Sequence, residues 1–243
     1  MRNIKLTIEY DGTDFCGYQI QKNERTVQSE LQRSLSMLTG ETVRLIAAGR
    51  TDSGVHATGQ VVNLKTESTL HLEAFLKGGN TRLPKDIRII KVEQVPLDFS
   101  ARYSAKRRTY RYYISKSRKA IGRQYAWSYW NPLDLKKMRA ACKEILGVGD
   151  FQSFCQAKAD VDHYLCDVRF AYWREVQDHF IFDICANRFL HNMVRTLVGT
   201  MVEIGDMRRQ QSINMAEVLR SKDRSAAGPT APAHGLFLLR VDY

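Results

Sequence analysis

The amino-acid sequence predicts an α+β protein made of two similar half-domains around a central cleft. Apolar runs with strand periodicity alternate with runs of helical periodicity. The order strand, helix, strand, strand, helix, strand occurs twice, and this is the order of a split βαβ, or ferredoxin-like, unit. The 243 residues allow one large domain or two of ordinary size, and 44% hydrophobic content is ample for a core.

The first half of the chain contains six predicted elements. Apolar residues alternate with polar ones from Ile4 to Tyr10, which predicts a strand. Apolar residues from Val27 onward recur at helical spacing, and Gly40 is the expected stop. The remaining predicted elements are strands at 43–50 and 59–65, a short helix at 72–77 and a strand at 87–92.

The second half repeats this order with additions. The predicted elements are a strand at 108–114, a helix at 135–145, strands at 168–176 and 180–184, a long helix at 189–204, a polar helix at 215–220 and a last strand at 236–241. Glycine and proline at 228–232 break the chain before that strand. We place the boundary between 99 and 106, which gives half-domains 1–103 and 104–243.

Charge and composition limit the classes of partner. The net charge of +11 indicates an anionic partner, such as a nucleic acid or a membrane surface. No apolar run reaches transmembrane length, and the N-terminus does not have the pattern of a signal peptide, so we expect no membrane association and a cytoplasmic location. The five cysteines form no CxxC pair, and no phosphate-binding glycine loop or HExxH motif is present. We therefore expect neither a metal nor another cofactor.

The turn at 49–57 places a carboxylate, a guanidinium and an imidazole between two predicted strands. Residues two apart in extended backbone share a side, so Arg50 can lie beside Asp52 and keep it ionised. That arrangement prepares a carboxylate for nucleophilic or base chemistry. The alternative is that Asp52 only forms an Asx-turn next to Gly54, and spacing alone favours this alternative. His56 is either an acid/base partner of Asp52 or a turn hydrogen-bond partner.

A basic segment with interleaved tyrosines follows the predicted boundary. Residues 102–123 contain nine lysines and arginines and no acidic residue. On the strand at 108–114, Tyr110 and Tyr112 are predicted on one face, with Arg111 and Tyr113 on the other. This mixture suits phosphate neutralisation and base stacking in RNA binding, and it loosely resembles the aromatic strand of an RNA-recognition motif. A solvated charge run is the simpler interpretation.

The long apolar helix predicted at 189–204 carries one arginine that needs a partner. Arg188, His191 and Arg195 are spaced to share a helical face. A helix this apolar should be buried, so Arg195 requires an anion, and Asp52 is a candidate. Another carboxylate could serve equally well. We interpret His191 as structural.

These features together resemble the tRNA pseudouridine synthase A family. Besides the turn at 49–57, the resemblance is carried by Glu9, Tyr10, Asp11, Gly12, Thr13, Gly59, Gln60, Arg108, Tyr110, Arg111, Tyr112, Phe189, Leu190, His191, Met193, Val194, Arg195, Thr230, Ala231, Ala233, Gly235, Leu236, Val241, Asp242 and Tyr243. The Gly-Arg-Thr-Asp turn is highly specific in this setting. Ser53 stands where alanine is common, and Asn192 stands where a second histidine is common.

The resemblance implies the pseudouridine synthase fold, in which both half-domains share a mainly antiparallel sheet. It implies a cofactor-free, homodimeric isomerase that converts uridines 38, 39 and 40 of the tRNA anticodon stem-loop to pseudouridine. By position, it implies that Asp52 is the nucleophile and that Arg50 and Arg195 surround this carboxylate. Tyr110 would stack on the target base, and Leu236 would line the base pocket. Arg108 and Arg111 are further expected substrate-binding residues.

Two alternative functions are also compatible with the sequence. A non-catalytic RNA-binding protein with two RRM-like halves would use Tyr110 and Tyr112 for stacking and would not need Asp52. A metal-dependent nuclease would use Asp11, Asp14 and Asp52, although the sequence has no tight metal-ligand spacing.

Overall fold

The chain has a mixed α+β fold with mostly antiparallel strand pairs, as the sequence predicts. The computed structural model describes residues 1–156, 162–209 and 213–243. It contains two compact units. The N-terminal unit comprises Met1–Lys106 with Phe237–Tyr243, and the central unit comprises Arg107–Leu236. The predicted half-domains 1–103 and 104–243 differ from these units, because the last strand pairs with a strand of the N-terminal unit.

The elements that precede the central unit are β1 (Arg2–Tyr10), α1 (Val27–Thr39), β2 (Ile46–Ala47), β3 (His56–Thr66), α2 (Leu72–Arg82) and β4 (Ile87–Val95). The later elements are β5 (Arg107–Ser115), β6 (Trp127–Ser128), α3 (Leu135–Glu144), β7 (Gly147–Asp150), β8 (Leu165–Val176), β9 (His179–Ala186), α4 (Met193–Gly205), α5 (Met215–Ser221) and β10 (Leu236–Asp242).

In the N-terminal unit, β1 is the inner strand of a split βαβ sheet. It pairs antiparallel with β4 on one side and with β3 on the other, and β2 pairs antiparallel with β3. Strand β10 runs parallel to the start of β3, where Phe237 is opposite His56. The alternating residues Ile4, Leu6 and Ile8 of β1 are fully buried. The predicted order of elements is therefore confirmed for this unit.

In the central unit, β5, β9, β8 and β7 pair antiparallel in that order, and β6 adds to β5 in parallel. Helices α3 and α4 cover one face, on which Trp173 of β8 donates a hydrogen bond to the sulfur of Met201 in α4. Tyr112 is in register with Phe182, which is in register with Trp173. The tyrosines at even positions of β5 therefore lie on the helix-covered face.

The strand predicted at 43–50 is wrong in extent, because β2 contains only Ile46 and Ala47. The backbone N–H of Val43 donates to Ser36 Oγ at 3.0 Å, and that of Leu45 donates to Gln32 Oε1 at 3.3 Å. Side chains of α1 thus satisfy backbone groups that a longer strand would have paired with a neighbouring strand.

The helix predicted at 189–204 begins four residues later, at Met193. Asn192 at its N-cap has a left-handed φ of 64°, which interrupts helical geometry. Arg188 and His191 therefore do not lie on α4, and they do not share a helical face with Arg195. The predicted burial of the helix is confirmed, since most of its residues are buried. Among the described residues, no helix has both the length and the hydrophobicity needed to cross a membrane.

Candidate active site

Asp52 lies in a tight turn directly before β3. The backbone N–H of Val55 donates to the carbonyl oxygen of Asp52 at 3.2 Å. Gly54 has a φ of 77°, a conformation that glycine adopts without steric cost. The turn is thus closed by the main chain, and the half-buried Asp52 side chain projects from a defined backbone.

The residues before Asp52 are held by buried polar groups from distant parts of the sequence. The hydroxyl of Tyr10 is 2.7 Å from Thr51 Oγ1, and the backbone N–H of Tyr18 donates to the Thr51 carbonyl at 3.0 Å. The side-chain amide of Gln60 donates to the Gly49 carbonyl at 2.8 Å. These bonds fix the backbone that carries Asp52, which is how a reactive side chain is preorganised.

His56 supports the same turn from its C-terminal side. It is almost fully buried, accepts a hydrogen bond from the backbone N–H of Gly12 at Nδ1 (3.0 Å), and stacks on Phe237 at 4.6 Å. The same Nδ1 is 3.1 Å from a carboxylate oxygen of Asp11. A Cβ at Gly12 would lie 2.1 Å from the Val55 carbonyl oxygen, so only glycine fits there. These contacts give His56 a role in holding the turn, one of the two roles that the sequence left open.

The Tyr10 hydroxyl provides a test of this support. Burial raises the pKa of Tyr10 to about 12. We expect Tyr10→Phe to lower turnover several-fold and to reduce the free energy of unfolding by about 1 kcal/mol, because one buried hydrogen bond is lost. Single-turnover kinetics and urea unfolding measure the two effects.

Tyr18 is the matched control for this prediction. It is equally buried, but its hydroxyl has no hydrogen-bond partner in the described part of the chain. Tyr18→Phe removes the same atom without breaking a bond, so it should leave both turnover and stability near wild type. Equal behaviour of the two variants would contradict a positioning role for Tyr10.

Arg50 is exposed, two residues before Asp52. Its side chain forms no ion pair within residues 1–156, 162–209 and 213–243. The guanidinium is accessible to an anion from solution, and its expected role beside Asp52 stays a prediction.

Tyr110 lies on β5, on the helix-covered face of the central unit. The residue is 8% exposed, and its ring packs edge-to-face with the ring of Phe189 at a centroid distance of 5.1 Å and an angle of 86°. The predicted alternation is confirmed, since Tyr110 and Tyr112 are buried on one face while Arg111 and Tyr113 are half-buried on the other. An edge contact of this kind holds an aromatic ring in one orientation.

The two arginines expected to bind substrate on β5 have protein partners. Arg111 donates to Asp183 on β9 at 2.6 Å, and Arg174 of β8 is 3.2 Å from the same carboxylate. Asp183 is only 1% exposed, so it depends on these cations. Arg108 donates to the carbonyl of Asn187 at 2.7 Å. The structure thus holds both guanidinium groups in defined positions, and their contact with substrate stays a prediction.

Arg195 links α4 to the segment that leads to Leu236. Its Nε donates to the Ala231 carbonyl at 2.8 Å, and its Nη1 donates to Asn192 Oδ1 at 3.1 Å. Arg195 is half-buried rather than deeply buried. Asp52 and Arg195 lie in different units, so their expected pairing stays a prediction.

Tyr112 also holds the segment that leads to Leu236. Sequence reasoning did not identify it as a supporting residue. Its hydroxyl donates to the Pro232 carbonyl at 2.7 Å, and burial raises its pKa. A Cβ at Gly235 would lie 2.6 Å from the Tyr112 ring. Leu236 follows directly and is buried. The only sequence signal for this support was the adjacency of Tyr112 to Tyr110 in an alternating strand.

Within the three described ranges, no group of three or more His, Cys, Asp or Glu side chains is arranged to hold a metal ion. All five cysteines are free thiols, and four of them are buried.

Comparison with known sequences points to one family. A sequence profile of tRNA pseudouridine synthases matches residues 6–104 and 141–243, which include Asp52 and Arg195. The tRNA pseudouridine synthase A of Halalkalibacterium halodurans is 46% identical over 240 residues, which cover 97% of this chain and 90% of that protein. The tRNA pseudouridine synthase A of Caldicellulosiruptor bescii is 43% identical over 245 residues, the full length of both. Among solved structures, a chain of the archaeal box H/ACA sRNP Nop10–Cbf5 complex aligns over 92% of this chain and 60% of its own length, at 10% identity and a TM-score of 0.36.

Proposed function

This chain belongs to the tRNA pseudouridine synthase family, whose members are isomerases, and we propose that it converts uridines 38, 39 and 40 of the tRNA anticodon stem-loop with Asp52 as the nucleophile. Membership of this family supports tRNA pseudouridylation as the activity. The observation that carries the assignment of Asp52 is its turn, where side chains distant in sequence form hydrogen bonds with Thr51 and Gly49 just before it.

The proposed reaction requires an anionic group near the reacting bond, and the turn carries one in Asp52. The C1′–N1 bond of uridine breaks, the uracil rotates, and a C1′–C5 bond forms. The hydrogen on C5 leaves as a proton and N1 gains one, so the product is an isomer and no oxidant or reductant is needed. One anionic oxygen near C1′ or C6 assists bond cleavage, and Asp52 supplies it in our proposal.

The other expected residues take roles that suit their surroundings. Tyr110 would stack on the extruded base, with its ring oriented by Phe189. Leu236 would line the base pocket as a buried apolar wall. Arg50 and Arg195 would keep the carboxylate ionised, and Arg108 and Arg111 would contact substrate.

The assignment of positions is tested with three tRNA transcripts, each carrying uridine at only one of positions 38, 39 and 40. We expect pseudouridine at the retained position in each, mapped by carbodiimide modification and primer extension. A fourth transcript without uridine at these positions should stay unmodified, and EDTA should not lower the yield. Pseudouridine at another position in the fourth transcript would overturn the assignment.

Arg195→Met should lower turnover at least tenfold, because removal of the guanidinium removes a positive charge that we assign to the catalytic carboxylate. The variant should stay folded by circular dichroism, since methionine keeps most of the side-chain bulk. Rapid-quench measurement of pseudouridine at saturating tRNA gives the rate.

Tyr112→Phe is the control for Arg195→Met. It removes a different anchor of the same segment, the bond to the Pro232 carbonyl, without changing charge. If Arg195 only held the segment, both variants would lose activity to the same extent. A larger loss in Arg195→Met, at equal thermal stability, supports the electrostatic role.

We also propose that the enzyme acts in the cytoplasm and that it is a homodimer, the second of which the resemblance of the chain implies. Light scattering should give twice the chain mass at micromolar concentration. A monomer mass over the active concentration range would rule out the dimer.

A further inference from the structure

An exposed loop of the central unit combines cations and aromatic rings that have none of the roles discussed so far. It spans residues 116–131, and we call it the aromatic loop. No Asp or Glu occurs anywhere from 102 to 133. Two large apolar side chains of this loop are strongly exposed, Ile121 at 93% and Trp130 at 53%. An exposed aromatic ring beside positive charge is typical of RNA-binding surfaces.

The aromatic loop is anchored at both ends. At its start, Lys116 pairs with Glu175, and Lys119 is 2.8 Å from Asp178. At its end, the backbone N–H of Tyr129 donates to the Ser115 carbonyl at 2.9 Å, and the Tyr129 hydroxyl donates to Asp206 at 2.6 Å. A surface held in this way loses little conformational entropy on binding.

The guanidinium of Arg118 lies 3.9 Å from the ring centroid of Trp130. Both side chains are exposed, so the pair places a positive charge against a half-exposed indole. Lys116 and Lys119 have acidic partners, whereas Arg118 forms no ion pair within the described residues. The pair can therefore offer a stacking surface to a base and a cation to the adjacent phosphate.

We propose that Arg118 and Trp130 form a second RNA-contact site, which binds an unpaired nucleotide of the tRNA other than the uridine being modified. The inference rests on tRNA as substrate and does not depend on Asp52. The site adds affinity and takes no part in the chemistry. Replacing Lys116, Arg118 and Lys119 together by Gln should lower the salt dependence by about one phosphate contact, because Lys116 and Lys119 already have acidic partners.

The test compares variants in filter binding of full-length tRNA at four salt concentrations. Trp130→Ala should weaken binding roughly 5- to 100-fold, the range expected for one lost base stack. Trp130→Phe keeps a π face and should recover most of the affinity. Turnover at saturating tRNA should stay at the wild-type value for both variants. Wild-type affinity of a folded Trp130→Ala variant would overturn the proposal.

Arg118→Gln and Lys119→Gln form a matched pair of charge changes in the same loop. Arg118→Gln should reduce the slope of log affinity against log salt by roughly 0.7 to 0.9, the value for one phosphate contact. Lys119→Gln should leave the slope unchanged, because Lys119 is already paired with Asp178. Equal slopes for wild type and Arg118→Gln would remove Arg118 from the RNA path. These binding results are independent of whether Asp52 is the nucleophile.

Discussion

Asp52→Asn is expected to abolish pseudouridine formation while tRNA affinity stays within a few-fold of wild type. Asparagine is close in size and fits the same turn, whose closing hydrogen bond uses the backbone of residue 52. The substitution therefore removes the negative charge and little else, and binding depends on many basic contacts elsewhere. Tritium release from tRNA labelled at uracil C5 measures the reaction, because formation of the new C–C bond expels that hydrogen.

Asp14→Asn is the matched control for Asp52→Asn. Asp14 is an exposed carboxylate of the same unit, and it has no role in the proposed reaction. Its substitution should leave tritium release unchanged. A non-catalytic RNA-binding protein predicts that the Asp52 variant behaves like this control. Release at near wild-type rate by Asp52→Asn would therefore contradict the nucleophile assignment.

The fold was predictable from sequence where the spacing of apolar residues matches the set of residues that the fold buries. Strand β1 and helix α1 each bury one set of regularly spaced apolar residues, so periodicity alone located them. Prediction failed where side chains replaced backbone partners, as at Val43 and Leu45, whose N–H groups donate to α1. Such bonds between side chains and the backbone leave no periodic signal in the sequence.

The sequence suggested which residues form the candidate site, and their roles stay predictions, but the geometry of the turn could not be predicted. Asp52 could be singled out because a carboxylate, a guanidinium and an imidazole occur together in the turn at 49–57. The bonds that hold the turn connect Thr51 with Tyr10 and Gly49 with Gln60, across 41 and 11 residues. Local reasoning does not predict such pairs, because they depend on which strands lie next to each other.

The start of α4 shows a second reason why prediction from sequence failed. The apolar sequence around Leu190 continues the helical pattern without a break, so periodicity extended the helix too far. Asn192 ends that pattern through its backbone conformation, which asparagine adopts more readily than most residues. Its Oδ1 then accepts a hydrogen bond from Arg195, so the residue that starts the helix also positions the arginine.

Tyr110→Phe is expected to keep tRNA binding and to lose turnover, on the order of 100-fold, if the hydroxyl positions or deprotonates the reaction intermediate. The ring would remain, with its edge contact to Phe189, so stacking on the base is preserved. Tyr110→Ala should lose turnover and also weaken binding, because the stacking surface is gone. Rapid-quench kinetics and filter binding separate the two effects.

Tyr113→Phe distinguishes this role from a general effect of removing a hydroxyl from β5. Tyr113 lies on the opposite face of the same strand, so the change leaves the ring and the strand in place. Because the Tyr113 hydroxyl interacts with Arg111, which we assign to substrate binding, the comparison uses turnover at saturating tRNA, and we expect this turnover to match wild type. Normal turnover in Tyr110→Ala would remove Tyr110 from the base pocket. Equal losses in Tyr110→Phe and Tyr113→Phe would mean that strand packing, and not the hydroxyl at position 110, sets the rate.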